Sequence, residues 1–112
     1  MKPDTYDLDD WWQFKPRTLY VDIEYPLERG VRLTIKPMTI RVEEKKPGKK
    51  SRCVDTRSEM TVGYFLWSVA KEYERIYKEH EKYGVWGHAI EDLGFETIHI
   101  NKNGVVDLFI GS

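Results

Sequence analysis

The side chains of this sequence whose types do chemistry are few: His80, His88, His99, Glu81, Glu91, Asp92, Ser68 and Cys53. A metal site needs several donors of the right kind brought together by tight spacing. These three histidines fall on a long helix, a short helix and a strand, so neither a metal site nor a cofactor is expected. His80 lies on the apolar face of the long helix near its end, which reads as a partly buried imidazole bonded to a carbonyl or favoured by the helix C-terminal dipole.

His88 has more around it. It closes the segment Gly84-Val85-Trp86-Gly87-His88, and Glu91 and Asp92 follow within a turn. His88 with either carboxylate is a minimal acid/base pair, and Trp86, His88, Glu91 and Asp92 form a candidate ligand corner. The constellation has no nucleophile or oxyanion donor. The plainer reading is a tight connection in which the glycines supply permissive backbone angles and Trp86 plugs the core. Gly84, Gly87 and Gly94 are spaced as turn and cap residues, and no Lys-Ser or Lys-Thr follows them as a phosphate loop requires. Cys53 has Lys49, Lys50 and Arg52 for neighbours, which favour a thiolate, but no histidine or second cysteine to use one.

A basic run, Lys45, Lys46, Lys49, Lys50 and Arg52, surrounds Pro47-Gly48. Such a loop has the charges to neutralise phosphates, and Lys49-Lys50-Ser51-Arg52 resembles a short nuclear import signal. Loops of this composition are most often simply solvated. The run has no aromatic residue to stack bases; Tyr20 and His99 present on a sheet surface without the full aromatic signature of RNA-recognition sheets.

The elements that position these groups follow from periodicity. Residues 1–17 form an irregular arm in which Asp4, Asp7, Asp9 and Asp10 precede Trp11, Trp12 and Phe14. Leu19, Val21, Ile23 and Tyr25, then Val31, Leu33 and Ile35, alternate as an antiparallel hairpin. Pro37 interrupts the pattern, so Met38 to Val42 continues past a bulge or at an edge. Residues 44–59, rich in Lys, Pro, Gly and Ser, read as a flexible basic loop.

Thr61 caps a long helix reaching Lys82, with Val62, Leu66, Val69, Tyr73, Ile76 and His80 on one face and a stop at Gly84. Trp86 to Leu93 reads as a short helix closed by a left-handed Gly94. Phe95 to Ile100 and Val105 to Ile110 flank Asn103-Gly104, a strong hairpin signal. The expected fold is α+β: an antiparallel sheet of four or five strands made from two hairpins, with one long and one short helix on one face. Residues 18–112 form a single domain. Both hairpins pairing centrally and the N-terminal arm adding an edge are open strand orders.

The chain has 112 residues, one domain's worth, and a net charge of -1 that gives no global pull toward nucleic acid. One cysteine and no apolar leader at Met1 indicate a reducing compartment, cytoplasmic or nuclear. No stretch is apolar enough to cross a membrane, and no membrane partner is expected.

Trp67 is the residue these elements leave unexplained. It points away from the apolar stripe, among Tyr64, Lys71, Glu74 and Lys78. Trp11 and Trp12 fold back over the domain, or Trp67 and Tyr64 with part of the arm form an interface rimmed by Lys71, Glu74 and Lys78. The reading from sequence is a non-enzymatic protein-interaction or assembly module acting through an aromatic patch, self-association included. Nucleic-acid contact through residues 45–52 is the first alternative, and a small enzyme or ligand binder at residues 86–92 is the second.

Overall fold

In the computed structural model, residues 15–45, 47–48, 50–87 and 89–111 are described. Leu19, Val21 and Ile23, alternating with polar residues, form β1 (Leu19–Ile23) and are buried. β2 (Val31–Ile35) runs antiparallel to it, with Leu19 opposite Ile35 and Ile23 opposite Val31, so the apolar residues of both strands share one face. The second hairpin is β5 (Gly94–Ile100) and β6 (Val105–Gly111). Its turn closes through Asn101, whose N–H donates to the Val105 carbonyl, and through Gly104 at φ 85°.

The two hairpins meet centrally in a four-stranded sheet of order β2-β1-β6-β5. The sheet is mixed, not the antiparallel one that two hairpins predict. β1 and β6 are parallel, Tyr20 opposite Val105 and Val21 opposite Val106, because the long chain between them crosses over the sheet as parallel neighbours require. The segment leading into β1 is fastened here as well: the Arg17 guanidinium donates to the Asn101 and Lys102 carbonyls, each at 2.9 Å.

α1 (Val62–Lys78) buries Val62, Phe65, Leu66, Val69, Ala70, Tyr73 and Ile76, the expected stripe and its flank, in the same core as the sheet. Thr61 is the N-cap, its hydroxyl accepting from the Tyr64 N–H at 3.1 Å. The helix ends before Lys82. Glu79 leaves helical geometry at φ -112°, ψ 40°, and α2 (His80–Tyr83) turns away, stopped by left-handed Gly84. That break removes His80 from the apolar stripe, and its side chain is exposed.

Two further expectations are corrected. Residues 86–93 do not form a short α-helix: Val85 bridges Leu27 and the Trp86 N–H donates to the Pro26 carbonyl, which leaves only the 3-10 turn Ile90–Asp92. Gly94 opens β5 instead of capping a helix. Residues 44–59 are not a loop throughout. β3 (Met38–Glu44) and β4 (Arg52–Glu59) pair antiparallel as a second, two-stranded sheet, in which Val54 bulges between the partners of Val42 and Glu43.

This ribbon packs on no other element among the described residues, and most of its side chains are exposed on both faces. Its roots are nonetheless fixed by buried Ile35 before it and by buried Met60 and Thr61 after it. The Tyr64 hydroxyl adds a bond to the Lys36 carbonyl at 3.0 Å. Among the described residues, no helix is long and apolar enough to cross a membrane.

Candidate functional site

β1 and β6 pair over only two residues each, although both strands run on. Past Asp22 and Asp107 they diverge, and a cleft of about 200 Å³ opens between Ile23–Tyr25 and Leu108–Ile110. Strict alternation divides its walls. Val21, Ile23, Leu108 and Ile110 belong to the core side, while Asp22, Glu24 and Phe109 are exposed on the free side of the sheet.

Tyr73 of α1 forms the floor. Its ring is 1% exposed, and its hydroxyl donates to the Tyr25 carbonyl at 2.7 Å. Burial drives this phenol far above its ordinary range, with a smaller contribution from Tyr77, so it remains a protonated donor at any physiological pH. Burial also raises Tyr77, whose phenol lies near Tyr25 and the Glu91 carboxylate.

The rim is aromatic. Phe109 is 61% exposed, and on the β1 side Tyr25 meets Trp86 edge to face, ring centroids 6.0 Å apart, with Trp86 48% exposed. Farther along the same sheet face, Arg32 holds Asp22 in a two-pronged pair at 2.8 and 3.0 Å and lies over the Tyr20 ring at 5.9 Å. The Arg32 hydrogen bond keeps the Asp22 carboxyl below the usual carboxylate range. Glu24 is the carboxylate that the cleft presents outward without such a bond among the described residues. The arrangement suits shape and charge recognition: an apolar slot one or two side chains deep, flanked by the backbone of two separated strands, with an aromatic and acidic mouth.

The sequence-derived candidates are distributed differently. Trp67 is half-buried on the outer side of α1, with the Lys71 ammonium 5.7 Å from its ring centre, and Lys71 pairs with Glu74 at 3.5 Å. Tyr64 is also half-buried and is occupied with the Lys36 carbonyl, while Lys78 is exposed. The broadly exposed aromatics among the described residues are Trp86 and Phe109, not Trp67.

Trp11 and Trp12 lie outside the described residues, as do Lys46, Lys49 and His88. Trp86 packs edge to face on Tyr25, which lines the cleft, whereas Glu91 and Asp92 are exposed on the 3-10 turn. Lys45, Lys50 and Arg52 surround the tip of the β3–β4 ribbon, where Arg52 pairs with Glu44 at 3.6 Å. Cys53 is exposed and its thiol donates to the Asp55 carbonyl at 3.3 Å. Among the described residues no three His, Cys, Asp or Glu side chains converge as a metal set would.

Sequence reasoning missed the cleft and Phe109. The available signal was weak: Phe109 sits in an apolar run, Val105 to Ile110, where alternation alone assigns it to the free face. Comparison with protein-family models, curated proteins and solved structures finds no match to this chain.

Proposed function

We propose that this chain is a non-enzymatic interaction module that binds an extended segment of a partner protein in the cleft between β1 and β6. The observation that carries the proposal is the separation of two parallel strands beside exposed Phe109 and the Tyr25–Trp86 pair. Diverging strands expose backbone donors and acceptors, and an added strand satisfies such groups while its alternate side chains enter pockets. A volume of about 200 Å³ takes one or two side chains and is small for a cofactor or drug-sized ligand. Glu24 at the mouth and the aromatic rim favour a lysine or arginine on the entering segment.

Selection from a random dodecapeptide display library tests this. Enrichment of β-branched sequences carrying Lys or Arg is expected, with binding weakened at least tenfold by Phe109→Ala and by Glu24→Gln but not by Trp67→Ala. Failure to enrich any peptide, or equal binding by Phe109→Ala, would overturn the proposal. Loss of binding by Trp67→Ala alone would return the interface to the outer side of α1.

A further inference from the structure

The β3–β4 ribbon differs from the rest of the molecule in charge and in packing. From Arg41 to Glu59 seven Lys and Arg stand against four Asp and Glu, in a chain whose net charge is -1, so the remainder of the chain is acidic. Two of the acids are neutralised within the ribbon, Glu44 by Arg52 at 3.6 Å and Glu59 by Arg57 at 2.7 Å. Asp55 is turned onto its own backbone, accepting from the Thr56 N–H at 2.7 Å. Arg41, Lys45 and Lys50 are exposed and make no ion pair among the described residues.

Seven residues of strand at about 3.4 Å each carry the tip roughly 24 Å from its root, beyond the Debye length of about 8 Å at physiological salt. The acidic body is therefore screened from whatever the tip meets. Near the root, one face carries Thr39 opposite Ser58 and Arg41 opposite Thr56, three hydroxyls and a guanidinium, with exposed Glu43 the next residue of β3 on that face.

We infer that this ribbon enters the major groove of duplex DNA and grips the phosphates on either side through Arg41, Lys45 and Lys50. The ribbon's shape and composition select this polyanion among others. A two-stranded β-ribbon fits the B-form major groove, about 12 Å wide, whereas the A-form groove of RNA is too narrow to admit it. No Phe, Tyr or Trp lies between Met38 and Glu59, so the ribbon has nothing on which to stack the bases of a single strand. The bulge at Val54 and the Asp55–Thr56 bond disrupt the β4 edge, which disfavours strand addition and leaves face and tip as the binding surfaces.

Fluorescence anisotropy of the full chain with a labelled 24-base-pair duplex, from 50 to 200 mM salt, tests the inference. Binding at 50 mM should fall steeply with salt, and Arg41→Ala/Lys45→Ala/Lys50→Ala should weaken it at least tenfold. The same triple variant should reduce the logarithmic salt slope by about 2.7, three contacts at ~0.9 each. The three side chains are exposed, so an unchanged melting temperature is the check on folding; Lys45→Gln/Lys50→Gln, with a slope reduction of about 1.8, is the milder second variant. Phe109→Ala should bind DNA normally, which separates this result from the fate of the cleft. No binding at 50 mM, an unchanged slope in both variants, or tighter binding of single-stranded DNA, duplex RNA or polyglutamate would overturn it.

Discussion

Removing one oxygen from the cleft floor, by Tyr73→Phe, tests the site's architecture at two pH values. The Tyr73 ring is 1% exposed and its hydroxyl donates to the Tyr25 carbonyl at 2.7 Å. Phenylalanine keeps the packing and strands that carbonyl beside an apolar floor, at a cost of about 1–3 kcal/mol. With about 2.1 cal/mol/K of unfolding entropy per residue, a chain of 112 residues loses about 4 °C in Tm per kcal/mol, so a drop of roughly 4–13 °C is expected at pH 8.

Tyr73 also ties stability to pH. Burial raises its pKa in the folded state above the ordinary 10.0, so its contribution is complete below pH 10 and is lost as pH rises toward the folded value. At pH 11 an unfolded tyrosine with a pKa of 10.0 is mostly ionised, which costs the wild-type fold about 1.4 kcal/mol. The variant has no such group at this position. Tyr77, whose pKa burial raises as well, is present in both proteins and cancels in the comparison.

The penalty for Tyr73→Phe should therefore shrink by about 1.4 kcal/mol between pH 8 and pH 11. Urea unfolding monitored by far-ultraviolet circular dichroism at both pH values reads the difference. An identical penalty at the two values would refute a buried, neutral Tyr73 and with it the closed floor of the cleft.

Gly84→Ala should be destabilising, because φ is 66° there and an added Cβ would stand 2.8 Å from the Glu28 Cβ; an unchanged Tm would contradict the packing of α2 against the turn after β1. Replacing residues 41–56 by a two-residue Asn-Gly turn between the opposed Ile40 and Arg57 should leave Tm within a few degrees of wild type, since the ribbon packs on no other element among the described residues. A loss of cooperative unfolding in that variant would show the ribbon to be part of the core.

Much of the core was legible because burial on one face leaves a period in the sequence. Leu19, Val21 and Ile23 alternate against the sheet's inner side, and Leu66, Val69, Tyr73 and Ile76 recur at helical spacing, so both elements were expected where they are found. Thr61, Gly84 and Asn103-Gly104 marked a cap, a stop and a turn through local chemistry alone.

β4 was illegible for the converse reason: seven of its eight residues are exposed, and a strand with no buried face has no apolar alternation to show. The parallel contact of β1 with β6 depends on residues 85 positions apart, and no local pattern encodes it. The helix break at Glu79 is likewise unmarked by glycine or proline. These two misses hid the cleft, which exists because β1 and β6 meet and then separate, and they led us to place His80 on an apolar face it does not occupy.

Amide hydrogen exchange, read segment by segment with and without a display-selected basic peptide, is the most direct test of strand capture between β1 and β6. Addition of the peptide should slow exchange in residues 22–25 and 108–110 together, because one inserted strand would bond to both edges. Exchange on the outer side of α1 around Trp67 should not change. Protection confined to α1, or to only one of the two separated strands, would contradict capture in the cleft.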